Sequence, residues 1–281
     1  MSAPGAPVLT SRTHPLVQRM RRQARGRSAD DPTVVLDGVH LVAMAADLGL
    51  ALEAVLVDQA GASDELSRLV AHLLRSGTRV TPATAAVLDA ASPVQSPSRI
   101  VALAHLAPTP LASAVPAGAA PATLVLVDAV QDPGNVGAIV RTADAAGASA
   151  VVCVGSCADP FGWKALRGSM GSTLRLPVCI APSLDDTLAF LAHAEVDVYG
   201  LDARATLGVD DAPWPNRVAL AVGREGAGLD DAICAGATTL IRIPMRDGVE
   251  SLNVAVATGI ALYAARRVRR TTPDARIGAV R

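Results

Sequence analysis

Lysine is almost missing from this chain: Lys164 is the only one among 25 Lys and Arg residues. Aromatic side chains make up 2%, so stacking on aromatic platforms is not the main device of any nucleic-acid binding. Cys153, Cys157, Cys179 and Cys234 contain no C-x-x-C pair. Without a second pair or a neighbouring His they make a poor zinc site, and no metal is expected. They read as buried free thiols in a reducing cytoplasm. Every apolar run is broken by Gly, Pro, Asp or Arg before membrane-spanning length, so no segment is expected to cross a bilayer. With a net charge of -1 there is no global basic signature either.

What is present is a large apolar fraction and an uneven distribution of charge. The 281 residues are 51% hydrophobic, enough for one large domain or two modest ones. Residues 1–29 contain no acid and carry Arg12, Arg19, Arg21, Arg22, Arg25 and Arg27. The other end carries Arg266, Arg267, Arg269 and Arg270. Two basic ends on a neutral body suit a polyanionic partner, and also suit solubilising tails. The acid-free start has the composition of a mitochondrial transit peptide as well. The spacing of Leu16, Val17 and Met20 instead favours a helix with one apolar stripe.

Residues 106–122 hold four prolines and no charge, and read as an Ala/Pro-rich linker over 107–122 between domains at 1–106 and 123–281. Before it, short strand-like runs (Val34–Leu36, Val55–Val57, Arg79-Val80, Ile100–Leu103) alternate with helical runs (Val39–Leu48, Ser63–Arg75, Ala83–Ala90). This pattern predicts a small α/β domain. After it, strands are expected at Leu124–Val127, Ala150–Val154, Val196–Leu201, Val218–Val222 and Thr239–Ile243, and a long helix from Ser251 to Arg267. The alternation predicts a mainly parallel sheet.

Three segments carry chemistry. Asn135–Arg141 reads N-x-G-x-x-x-R after an apolar run. Gly137 and Arg141, four apart, share a helix face, so the glycine leaves a gap beside a guanidinium suited to phosphate or ribose. Alone, the stretch reads equally well as a turn with an exposed arginine. Gly223–Leu229 follows a strand with glycines spaced G-x-x-G-x-G, which lets backbone approach a ligand but is the wrong order for a dinucleotide fingerprint. Ile243-Pro244-Met245 precedes Ser251-Leu252-Asn253-Val254-Ala255, where Ser251 is the expected N-cap. By itself that is an ordinary capped helix, or one whose N–H groups hold an anion.

Taken in order from Leu124 to Arg267, the three segments closely resemble the SPOUT superfamily of RNA methyltransferases, and within it the SpoU branch that methylates ribose 2′-hydroxyls. Asp37-Gly38 and Ser92–Pro97 resemble the ribosomal-protein-like RNA-binding domain that precedes the catalytic domain in many SpoU members, although Asp stands where that family often has Glu. The resemblance implies an α/β fold: a C-terminal SPOUT domain with a trefoil knot and a mainly parallel sheet, after a small α/β RNA-binding domain. It also implies S-adenosylmethionine as methyl donor and a homodimer with sites near the subunit interface. By matching positions, Asn135, Arg141, Glu225, Ser251 and Asn253 form the catalytic cluster, and Leu201, Gly223, Gly228, Ile243 and Leu252 line the cofactor pocket. Arg19, Arg21, Arg22, Arg25 and Arg167 are the expected RNA contacts, Arg167 reading equally as a surface arginine on a helix end.

The expected reaction is methyl transfer to a ribose in 23S ribosomal RNA, with transfer RNA as the alternative substrate. A non-catalytic RNA-binding module and a Rossmann-type oxidoreductase are the rivals from other classes. The 2′-hydroxyl must lose its proton to attack. The family account gives that task to the arginine matching Arg141, yet a guanidinium holds its own proton. Arg141 is therefore expected to grip phosphate and ribose, and Glu225 is a rival acceptor or a residue that orients Arg141.

Overall fold

The computed structural model describes residues 7–28, 31–60, 62–94 and 98–271, with side chains as far as 269. Of the expected features, Gln95, Ser96, Pro97 and the side chain of Arg270 lie outside the described residues. The chain forms two compact units, residues 1–107 with 161–175, and residues 108–160 with 176–281.

In the first unit, α1 (Pro15–Arg25), β1 (Thr33–Asp37), α2 (Val39–Asp47), β2 (Leu52–Val57), α3 (Asp64–Arg75), β3 (Val80–Pro82), α4 (Ala85–Ala91) and β4 (Ile100–His105) follow in order. The sheet order is β1-β4-β2-β3, antiparallel except for the β2/β3 pair. β4 lies in its centre, which is why Ile100 to Ala104 are apolar without alternation and fully buried. Helix α3 starts where Ser63 Oγ accepts the Leu66 amide at 3.2 Å, and buries Leu66, Leu69, Val70 and Leu73 at helical spacing.

The basic start is a domain helix. Pro15 opens α1, and Val17 and Met20 are fully buried in the unit's core. Arg19 departs from its expected RNA-contacting role, because it pairs with Asp31 at 3.3 Å and with Glu53. Arg21, Arg22 and Arg25 are exposed.

The second unit contains α5 (Leu111–Ala114), β5 (Ala122–Asp128), α6 (Pro133–Ala146), β6 (Ala150–Val154), then β7 (Val178–Ala181), α8 (Leu184–His193), β8 (Asp197–Leu201), β9 (Leu207–Gly208), β10 (Arg217–Val222), α9 (Asp231–Gly236), β11 (Thr239–Arg242) and α10 (Val254–Thr271). Between β6 and β7, helix α7 (Trp163–Gly168) belongs to the first unit. The seven-stranded sheet has the order β7-β6-β5-β10-β8-β11-β9, and every described pairing is parallel. β5 and β10 sit centrally with Leu124–Val127 and Val218–Leu220 at 0% exposure, as a sheet covered on both faces requires.

Four features differ from the sequence reading. The proline-rich stretch is not a free linker: it carries α5, buries Ala114 and Val115 in the second core, and feeds two carbonyls to Arg217. β7 and β9 are strands at the two edges that alternation did not reveal, one opening after Pro177 and the other two residues long. Residues 161–175 leave the second unit, with Gly171 lying against the Met44 side chain of α2. Three of the C-terminal arginines make internal bonds: Arg269 bonds Thr123 Oγ1 at 2.6 Å, Arg267 pairs with Asp210, and Arg266 reaches the Ala145 carbonyl.

Asp31 gives this fold a pH dependence. The Thr33 hydroxyl, then Arg19, hold its carboxyl down to about 2 from the ordinary 3.8. The folded state therefore binds fewer protons, and the contribution is complete above the ordinary value and lost as pH falls towards about 2. Urea midpoints should fall more steeply below pH 4 in the wild type than in Asp31→Asn; identical acid limbs would refute the assignment.

Candidate active site

The carboxyl ends of β8, β10 and β11 open into one cavity of about 640 Å³, where open α/β sheets place their ligands. Leu201 ends β8, Gly223–Gly228 follow β10, Ile243 follows β11, and residues 250–254 lead into α10. All five expected cofactor residues, Leu201, Gly223, Gly228, Ile243 and Leu252, thus line one space, together with Glu225, Ser251 and Asn253.

The glycines have separate tasks. The Arg224 amide donates to the Gly228 carbonyl at 2.9 Å, and the Gly228 amide donates back at 3.0 Å. This closes a loop that needs positive φ at Gly226 (82°) and Gly228 (77°). A Cβ on Gly223 would overlap the Gly228 carbonyl and lie 2.7 Å from the Leu229 nitrogen. Glycine at 223 therefore lets the loop close on its own backbone. Gly137 has a different place from the one expected. It is buried within α6 and does not border an open gap.

Three polar side chains from distant segments meet at this cavity. Asn135 Nδ2 donates to Glu225 Oε1 at 2.8 Å, and Asn253 Nδ2 donates to Asn135 Oδ1 at 2.8 Å. Each end is anchored by backbone. Asp132 caps α6 by accepting the Asn135 amide at 2.8 Å, and Asn253 Oδ1 accepts the Ala255 and Val256 amides at 2.9 and 3.3 Å. Asn253, not Ser251, is thus the N-cap of α10. Ser251 and Leu252 lie ahead of the helix on the cavity wall.

Helices α6 and α10 run side by side in the same direction. Asn135 meets Asn253 at one end, Thr142 lies against Gly259 (a Cβ there would be 3.1 Å from Thr142 Cγ2), and Arg266 reaches the Ala145 carbonyl at the other. Both N-termini therefore point at the same polar cluster, where their dipoles favour negative charge. Arg141 is exposed and lies outside this cluster. It sits six residues beyond Asn135, about 9 Å along the helix and about 120° around it.

Asp202 and Arg204 also line the cavity, and sequence reasoning missed both. The Asp202 carboxylate accepts Arg204 Nη2 at 2.8 Å and Nε at 3.1 Å, and this bidentate pairing holds it below the usual carboxylate range. The only signal was their position just past a strand end. Among the described residues, no three His, Cys, Asp or Glu side chains converge to hold a metal ion.

Residues 122–263 match the SpoU rRNA Methylase family. The chain is 33% identical over 232 residues to the 23S rRNA (guanosine(2553)-2′-O)-methyltransferase RlmP of Bacillus subtilis (strain 168), an alignment covering 82% of this chain and 87% of the relative. The AdoMet-bound rRNA methyltransferase from Sinorhizobium meliloti superposes with a TM-score of 0.82 at 30% identity, over 93% of this chain and 98% of that one. The SpoU methyltransferase AviRb from Streptomyces viridochromogenes, in complex with AdoMet, gives 0.83 at 27% identity, over 92% and 99%. A parallel sheet with a glycine-walled cavity at its carboxyl edge, found with these likenesses, defines an RNA methyltransferase. The chain belongs to the SpoU rRNA methylase family, within the SPOUT superfamily.

The two jobs of Asn253 are separable. Asn253→Ala removes the cap of α10 and should cost about 0.5–2 kcal/mol in urea denaturation. Asn253→Asp keeps the accepting oxygen and should stay near wild type in stability while losing the donor to Asn135. Equal destabilisation by both would contradict the capping role.

Proposed function

We propose that the protein transfers a methyl group from S-adenosylmethionine to a ribose 2′-hydroxyl in 23S ribosomal RNA. The observation that carries this reading is the Glu225–Asn135–Asn253 chain at the cavity. The residues present fit adenosylmethionine. The volume suits a nucleoside-sized ligand, the glycine loop from Gly223 to Gly228 offers backbone groups at the wall, and Leu201, Ile243 and Leu252 offer apolar walls. When bound, the donor supplies an electrophilic methyl group on a sulfonium.

The protein's own residues handle the acceptor. Glu225 takes the 2′-hydroxyl proton on a carboxylate oxygen. Asn135 holds Glu225 in place through its amide N–H, and Asn253 fixes which way the Asn135 amide points. The helix N-termini of α6 and α10 stabilise negative charge developing at the attacking oxygen. Arg141 lies away from Glu225 and makes no hydrogen bond or ion pair among the described residues, so its guanidinium is free to grip the target phosphate.

The active form is a homodimer. Val256, Ile260 and Tyr263 form an exposed apolar stripe on α10, 53%, 40% and 49% accessible. Helical geometry puts Arg141 on the same side of the α6/α10 layer, so a second copy seated on the stripe closes around Arg141. The path of the chain favours the trefoil knot, because it returns after β11 to lay α10 against α6 and β10. The first unit serves as the RNA-binding domain through exposed Arg21, Arg22, Arg25 and Arg167. Among the described residues no helix is long and apolar enough to cross a membrane, and the four cysteines are free; both accord with work in the cytoplasm.

Incubation with methyl-labelled adenosylmethionine and total RNA should label 23S RNA at a ribose oxygen. Label confined to transfer RNA would move the substrate, and no labelled RNA with folded protein would sink the reading. Gly223→Ala should weaken adenosylmethionine binding at least about tenfold in calorimetry, because the loop must open to admit the methyl. Arg141→Lys should lose about a hundredfold in turnover; full turnover would show that charge suffices without the guanidinium fork.

A further inference from the structure

Residues 161–175 interrupt the second unit in sequence yet fold with the first. The segment is chemically unusual for this chain. Of two Phe, two Trp and two Tyr in all, Phe161 and Trp163 fall two residues apart, next to the single lysine. Each ring carries a cation on its face: the Arg27 guanidinium lies 4.8 Å from the Phe161 centroid, and Lys164 Nζ 5.6 Å from the Trp163 ring. Phe161 is buried and anchors the segment, whereas Trp163 is only half-buried.

Trp163 lines a cavity of about 160 Å³ within the first unit, together with Asp37, Leu41, Val94, Ser98 and Arg167. The lining combines apolar (Val35, Leu41, Val94), aromatic (Trp163) and charged (Asp37, Arg167) side chains. Asp37 makes the cavity pre-formed: it accepts the Ser92 hydroxyl at 2.6 Å and the Ser98 amide at 3.2 Å, tying the end of β1 to both sides of the neighbouring loop. Gly38, at φ 108°, lets the chain turn there with Ser98 Oγ close by. Arg167 is exposed, and its guanidinium makes no hydrogen bond or ion pair among the described residues.

We propose that this cavity receives one unstacked nucleobase of single-stranded RNA, stacked on Trp163 with the adjoining phosphate on Arg167. The inference rests on the reading of RNA as substrate, and adds a second point of recognition in a different unit from the methyl-transfer cavity. The space equals roughly five water molecules, enough for one planar heterocycle and too little for a base pair. Stacking on a single indole accepts any base, so the contact selects unpaired RNA rather than sequence. Two further cations, Lys164 and Arg27, stand beside the rings and favour the polyanion.

The test uses the full chain and a fluorescein-labelled single-stranded RNA of mixed sequence, read by anisotropy. Trp163→Leu should weaken binding about tenfold, and Trp163→Phe should stay within about threefold of wild type. Arg167→Gln should weaken binding and flatten its salt dependence. Duplex RNA of the same sequence should compete poorly. Wild-type affinity in Trp163→Leu, equal losses in Trp163→Leu and Trp163→Phe, or equal competition by duplex would each overturn the proposal. Adenosylmethionine affinity, measured in parallel, should stay within about twofold for all three variants; a loss there would mark a folding defect and overturn the assignment. Binding is read without methyl transfer. A protein that binds RNA through Trp163 and methylates none would overturn the enzymatic reading alone.

Discussion

Asn135 is the residue on which the geometry of the site depends. Its amide can donate from one side and accept on the other, and both capacities are used, towards Glu225 and from Asn253. Those partners arrive from segments 90 and 118 residues away. The amide can satisfy both only if α6 and α10 start at the same level and run in the same direction. Thr142 against Gly259, and Ala145 against Arg266, keep that register along the pair. The constraint is geometric, because a side-chain amide has fixed donor and acceptor ends and each must find its own partner.

Around that amide the structure divides its labour. The glycine loop from Gly223 to Gly228 forms one wall of the cavity, and Glu225, Asn135 and Asn253 form a polar cluster where α6 and α10 begin. The arginines divide in the same way. Arg19, Arg217 and Arg269 are spent on internal hydrogen bonds, and Arg141, Arg167 and the outer face of α1 stay exposed. Counting basic residues therefore overstates the surface offered to RNA. Exposure and pairing are not exclusive, since Arg204 and Arg267 are exposed and still bound to Asp202 and Asp210.

Much of the fold was legible in the sequence. Val34–Leu36, Ala150–Val154 and Val218–Val222 are continuous apolar runs, and each is a buried strand. Val178–Ala181 escaped notice because an edge strand with Ile180 half-exposed carries no long apolar run. The proline-rich stretch misled for another reason. Prolines mark turns as readily as linkers, and composition does not reveal that Ala114 and Val115 meet a core. In the site, motif order pointed to Gly223, Glu225, Gly228 and Ser251–Asn253, all on the cavity, but not to Arg224, Gly226 and Ala227 beside them. It misplaced the cap by two residues, since Ser and Asn are equally good caps and only the amides of Ala255 and Val256 decide between them. Asp202 and Arg204 were invisible because their importance arises from the strand that ends beside them.

The central claim is that Glu225, Asn135 and Asn253 act as one unit. It is tested most directly by a double-mutant cycle on the single-turnover rate of methyl transfer, using Asn135→Ala and Asn253→Asp at saturating RNA and donor. If the unit is real, the double variant should be about as slow as the slower single variant, because the first substitution already releases Glu225. Rate losses that simply multiply would contradict the account and show that the two asparagines act independently.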